Sequence, residues 1–154
     1  MNKFVKIAAA AALAIIPVEA LAATGNVTFG ATITHSCAID QVVNGSLGAN
    51  AGFTVLSSTV GSGTSGSARI VATGSAFDVS VGSPTLSKPA GDTSSQTLAS
   101  SYSASGATTI ATTSAANDLN NGTTNVTVDM SATKSGSDVF EAGLYTGTVV
   151  LTCQ

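Results

Sequence analysis

Asn26-Val27-Thr28-Phe29-Gly30-Ala31-Thr32-Ile33-Thr34-His35-Ser36-Cys37 is the stretch on which the fold turns. Val27, Phe29, Ala31 and Ile33 fall on alternate positions and continue to His35 and Cys37, while small and hydroxylated residues fill the positions between. A period of two predicts a β-strand with one buried face. The C-terminus repeats the pattern. Tyr145, Val149, Leu151 and Cys153 share one phase, and Thr146, Thr148 and Thr152 occupy the other. Both cysteines therefore sit on the apolar phase, at strand ends.

Between these two segments, Phe53 to Leu56, Ala68 to Thr73, Phe77 to Val81 and Val126 to Met130 are β-branched or aromatic-rich and bounded by Gly, Ser or Asn. Asn44-Gly45 and Asn121-Gly122 are turn dipeptides, because both residue types tolerate the positive φ of hairpin turns. Beyond residue 23 no stretch shows helical spacing with caps. Gly91 to Ala116 is half Ser and Thr, with Leu98, Tyr102 and Ile110 as its large apolar residues. It reads either as one or two exposed edge strands or as a mobile loop. Short strands punctuated by turns predict an all-β, immunoglobulin-like sandwich.

The start of the chain reads as a targeting signal. Lys3 and Lys6 precede an apolar run from Ile7 to Ile16, and Ala20-Leu21-Ala22 supplies an A-x-A exit. Residues 1–22 are thus expected to be a secretory signal peptide, leaving one domain over residues 23–154. The apolar run is too short for a bilayer span, and no later stretch is long and apolar enough for one. Export places Cys37 and Cys153 in an oxidising compartment, where an even pair predicts one disulfide. Two free thiols or a bridge between chains are the alternatives.

Composition removes most other functions. The 154 residues include only 8% charged residues, 5% aromatics and a single His, with a formal net charge of −3. Arg69, Lys88 and Lys134 are the only cations after residue 22, too few to neutralise a run of phosphates, so a nucleic acid partner is not expected. One His and two distant Cys cannot form the usual zinc shells. Gly61-Ser62-Gly63-Thr64-Ser65-Gly66 fits G-x-G-x-x-G, but a dinucleotide site needs a helix to follow, and Ser67 to Ala72 reads as a strand. His35 could activate Cys37 only if the thiol were free. Asp138 and Glu141 are close enough in sequence to share a calcium ion, although two solvated turn residues explain them as well. Paired carboxylates for glycoside chemistry lack an aromatic sugar platform. The four Asn-x-Ser/Thr triplets, at Asn26, Asn44, Asn121 and Asn125, arise by chance in a Thr-rich chain with a bacterial type of leader. No cofactor and no catalysis are expected.

Two segments carry a resemblance. Gly25 to Asp40, with a Gly several residues before a Cys and then a short apolar-acidic step, resembles the mature N-terminus of bacterial pilins of the chaperone–usher class. Ala142 to Gln154, where Gly143-Leu144-Tyr145 leads into an alternating run, resembles their closing strand. The ending is also similar to small secreted β-domain families related to spore-coat-type and fimbrial proteins. Together the segments cover under a third of the mature chain. The resemblance implies an incomplete immunoglobulin-like sandwich with a groove beside its last strand, filled by a neighbour's N-terminal extension. Val27, Phe29, Ala31 and Ile33 would be the donor side chains, with Gly30 pointing away from the groove. Tyr145, Val149 and Leu151 would mark the acceptor edge. It further implies other copies or related subunits as partners, a periplasmic chaperone and outer-membrane usher, and a place at the bacterial cell surface or in the periplasm.

The cysteines depart from that pattern, because pilins usually place the second Cys in an early strand. Two arrangements follow. Residues 26–36 lie beside the chain's own last strand, closing the sandwich with a Cys37–Cys153 staple, or they enter a neighbour's groove, where a bridge between chains could form. The leading expectation is a structural fibre subunit assembled by strand donation. A self-complete secreted sandwich that binds a surface glycan or protein is the alternative.

Overall fold

A computed structural model describes residues 23–74 and 76–154; the expected signal peptide, residues 1–22, lies outside them. The chain divides into two units, Met1–Ala31 and Thr32–Gln154. In the first, residues 23–31 are exposed and carry no regular secondary structure. Every strand belongs to the second, and the described residues contain no helix, so none that is long and apolar enough to cross a membrane.

The spine of the larger sheet is β10 (Gly122–Lys134). Val126, Met130 and Ala132 are buried on one phase while Thr127 and Thr133 meet solvent on the other, the alternation that a strand with one covered face requires. On one side β10 pairs with β7 (Gln96–Gly106) from Thr124↔Gly106 to Lys134↔Gln96. On the other it pairs first with β4 (Gly66–Ala72) and then with β3 (Val55–Ser57). Outside these lie β1 (Cys37–Val43) against β4, β2 (Gly48–Ala49) against β3, and β8 (Ile110–Thr113) against β7. The second layer consists of β5 (Phe77–Val81) between β9 (Asn117–Leu119) and β12 (Leu151–Cys153), together with β6 (Thr85–Ser87) paired to β11 (Thr146–Thr148). A hydrogen bond from the Gly82 amide to the Val150 carbonyl, 2.8 Å, spans the gap between these two short ladders. All pairings are antiparallel.

The layers share one core. Val79 and Leu119 from the smaller layer pack with Ile70, Tyr102, Ala104, Ile110 and Val126 from the larger one. Burying a Val, Leu or Ile side chain contributes about 1.5–3 kcal/mol, and this shared core is what makes the chain a β-sandwich. Tyr102 is fully buried, and its hydroxyl is within 2.9 Å of the carbonyls of both Val79 and Ala115 and accepts from Asn117 Nδ2 at 2.8 Å. It ties the two layers as well as filling space between them. Leu56, Ala132 and Phe140 form a smaller second core.

Four expectations change. The segment from Val27 is not a strand with a buried face. Val27, Phe29 and Ile33 are 78%, 90% and 80% exposed, and regular pairing starts only at Cys37. Alternation specifies which face would be buried, but a strand forms only where another edge accepts its hydrogen bonds. Phe53, expected to open a strand, lies in a turn at φ 50° before β3; its carbonyl accepts from the Phe140 amide at 2.7 Å. The Ser/Thr-rich stretch 91–116 is an interior strand, β7, with β8 at its edge, because Tyr102 and Ala104 bury one face while hydroxyls cover the other. The two turn dipeptides also do not close hairpins. Asn121-Gly122, with Gly122 at φ 128°, carries the chain from β9 in one layer to β10 in the other.

Candidate functional site

The smaller layer ends on an open edge. Among the described residues β12 pairs only with β5 and β11 only with β6, so none of them partners one side of the last strand pair. In the larger sheet β1 pairs, among the described residues, only with β4, so its other side is also without a described partner. Both free edges line an open groove of about 970 Å³. Val42 and Val43 of β1, Met130 of β10, Leu47, Val149 and Leu151 give it apolar walls. Among the described residues its one charged lining residue is Asp129, already occupied by the hydroxyls of Ser58 and Ser65 at 2.7 and 2.5 Å.

Local sequence explains the groove's shape. Gln41 takes φ 49°, and the β1–β4 register slips between Asp40 and Val43. This is a bulge, which re-aims the following side chains and leaves Val42 and Val43 exposed. Just before it, the Arg69 guanidinium grips Asp40 with two bonds, Nε to Oδ1 at 2.8 Å and Nη2 to Oδ2 at 2.6 Å. The pair is half exposed and adds little stability; its role is to hold register up to the bulge. On the opposite wall Gly147 lies so near the Met130 sulfur that a Cβ there would strike it. An alternating run needs a missing side chain at that point to stay close to the sheet.

The last strand is held at both ends. At its C-terminal end Cys153 is bonded to Cys37 of the same chain, with Cα atoms 6.2 Å apart. The bridge is therefore intramolecular, joining the two edges that flank the groove, and it removes Cys37 from any Cys–His pairing. At the other end Tyr145, just ahead of β11, donates its hydroxyl to Asp92 Oδ2 at 2.6 Å and lies 3.0 Å from the Glu141 carbonyl. Asp92 Oδ1 accepts from Lys134 Nζ at 2.5 Å. The same ammonium donates to Ser94 Oγ at 2.6 Å and stands 4.9 Å above the Phe140 ring. Phe140 meets Tyr145 edge to face at 5.3 Å. The Lys134 and Asp92 side chains are inaccessible to solvent, so each charge depends on the other. Hydrogen bonds from Lys134 and then Tyr145 hold the Asp92 carboxyl far below the usual carboxylate range. Burial, followed by the bond to Asp92, pushes Tyr145 up to about 12.

Of the residues singled out from sequence, Tyr145, Val149 and Leu151 come together along the groove. Tyr145 and Val149 lie just outside the regular ladders, and only Leu151 is in one. Val27, Phe29, Ala31 and Ile33 are exposed. The G-x-G-x-x-G loop leads into strand β4, and a Cβ on Gly61 would strike the Ala49 carbonyl and one on Gly63 the Ser57 carbonyl, so close backbone packing accounts for those two glycines. Asp138 and Glu141 are exposed loop residues, and the described residues hold no group of three His, Cys, Asp or Glu arranged for a metal ion. Asp92, Lys134 and Phe140 carry no sequence signal that joins them to Tyr145.

The groove offers unpaired backbone groups and apolar sockets, the two features that recognise an extended peptide. No protein-family model matches this chain, and no curated protein matches it.

Proposed function

We propose that the protein is a structural subunit of a bacterial surface fibre, assembled by β-strand donation. On this reading its sandwich is immunoglobulin-like and lacks one strand, the groove between β1 and the last strand pair is the acceptor, and Val27, Phe29, Ala31 and Ile33 are donor side chains. The single observation that carries the proposal is the apolar groove bordered by two strand edges that are unpaired among the described residues, in a chain that also bears an exposed segment of alternating apolar residues. The lengths agree. Val27 to Ile33 extended spans about 20 Å, the same as the seven residues of β1.

An exposed apolar edge with few charges is an aggregation hazard, so the unassembled subunit requires cover. A periplasmic chaperone would supply it, with an outer-membrane usher at the point of assembly, which places the protein at the exported cell surface. No catalytic role enters the proposal.

Deletion of residues 23–34 tests it. The shortened chain, refolded with a synthetic peptide of residues 25–36, should give monomers that bind the peptide and do not polymerise. Polymers indistinguishable from those of the mature chain would refute strand donation by this segment.

A further inference from the structure

Only Thr34, His35 and Ser36 separate the donor segment from β1, and β1 borders the groove. A reversal at these three residues would lay Val27 to Ile33 antiparallel to β1 of the same chain, as in a β-hairpin. Such self-filling is intramolecular and has the advantage of effective concentration. A fibre-forming chain therefore needs something that prevents it.

Thr34 and Ser36 are tied to Thr73. The Thr73 amide donates to the Ser36 carbonyl at 2.8 Å, and the Ser36 amide donates to Thr73 Oγ1 at 3.0 Å. Thr73 Oγ1 in turn donates to the Thr34 carbonyl at 2.7 Å. The β1–β4 ladder, whose terminal regular pair is Cys37↔Ala72, thus continues one residue further. His35 rests on Phe77, ring centroids 5.1 Å apart, and fits against Gly74, where a Cβ would collide with the imidazole. Gly74 also has φ 144°, a conformation that L side chains rarely adopt.

We infer that Thr73, with Gly74 and Phe77, forms an exit clamp that blocks reversal between Ile33 and Cys37 and commits the donor segment to a second copy of the chain. The inference rests on the strand-donation reading and adds what keeps the donor segment out of its own groove. Donation from each copy to the next is a heterologous, head-to-tail contact, which produces an open filament where the rotation does not close. Thr73 acts here as a positioning residue.

The test uses the oxidised mature chain, residues 23–154, refolded alone, with two readouts. Light scattering after size exclusion gives the monomer-to-polymer ratio, and a fluorescent peptide of residues 25–36 reports open grooves. The wild type should polymerise, and its residual monomers should take up the peptide. The variant Thr34→Asn/His35→Gly/Thr73→Val removes the clamp and installs a hairpin turn. Its monomer-to-polymer ratio should rise about tenfold or more, as expected from losing two ordinary hydrogen bonds, and its monomers should refuse the peptide. Thr73→Val alone should move both readouts in the same direction and decides the matter if the triple variant does not fold. Thr73→Ser, which keeps the hydroxyl, should match the wild type. Wild-type behaviour of Thr73→Val and of a folded triple variant overturns the clamp while strand donation stands. So does a wild-type chain that is monomeric and closed to the peptide when the chain lacking residues 23–34 binds it. If that deleted chain binds no peptide, strand donation itself fails, and the clamp with it.

Discussion

Removing the Cys37–Cys153 bridge tests how the two groove edges are held together. The bond spans 116 residues, almost the whole sandwich. Opening it frees the unfolded chain of a loop constraint worth about 5 kcal/mol in the chain-entropy treatment. Whole domains of this kind are stable by only about 5–15 kcal/mol, so Cys37→Ala/Cys153→Ala should lose a large share of the total. With a urea slope of about 1.5 kcal/mol/M for a chain of this size, the unfolding midpoint should fall by roughly 3 M. The slope itself should increase, because the unbridged chain expands further when unfolded. Locally, β12 is a three-residue strand with one partner, β5. Without the bridge it should fray, and binding of the 25–36 peptide should weaken along with global stability. Urea titration followed by circular dichroism, on oxidised wild type and double variant, measures both midpoint and slope. A midpoint shift below about 0.7 M, equivalent to roughly 1 kcal/mol, would refute the argument that this bridge constrains the unfolded chain.

Other perturbations address the anchors. Asp92 has its folded pKa depressed by Lys134 and Tyr145, so its contribution is present above the unfolded value of about 4 and is lost as pH falls toward the folded one. Asp92→Asn should lower the melting temperature at pH 7 and flatten the acid limb of a stability–pH curve; an unchanged acid limb would contradict the assignment. Tyr145 shows the opposite sign. Its pKa, raised to about 12, means that its contribution is intact below about pH 10 and disappears as pH rises through the folded value, a dependence that Tyr145→Phe should remove. Asp78 and Asp118 face each other across β5 and β9, and the hydrogen bond to Asp118 raises the Asp78 pKa. A carboxyl whose pKa is raised on folding loses stability as it ionises, so Asp78 costs stability at neutral pH and Asp118→Asn should raise the melting temperature at pH 7; a decrease would show that the pair is not repulsive. Tyr102→Phe should cost about 1–3 kcal/mol in urea titration through loss of a buried hydrogen bond that ties the layers, and a neutral result would assign Tyr102 to space-filling alone.

Local pattern was legible where one strand's residues suffice to describe its environment. Phe77 to Val81 is a strand with the bounds read from its alternation. Val126 to Met130 is the middle of a longer strand, extended at both ends by Thr, Asn, Ser and Lys, residues whose strand character comes from neighbours on both sides. The stretch 91–116 was ambiguous for the same reason. A hydroxyl-rich strand and a hydroxyl-rich loop have the same composition until Tyr102 finds a core to enter. Asp92 and Lys134 were illegible as a pair because 42 residues separate them and no periodicity relates a loop carboxylate to a strand-end ammonium.

By itself, then, the sequence determined an all-β chain, the phase of its C-terminal segment and a cysteine pair suited to one bridge, since periodicity and residue chemistry are local properties. Tertiary structure decided the rest. It made the bridge intramolecular, turned a Ser/Thr-rich stretch into an interior strand, and left β1 and the last strands each with an edge unpaired among the described residues, beside an apolar groove. Among the described residues it also gave no partner to the alternating segment at Val27, which as a sequence differs little from the strands that did pair. Hydrogen bonding between strands is a relation between distant parts of the chain. Whether an edge is filled, and by what, depends on which other edges the fold brings within reach.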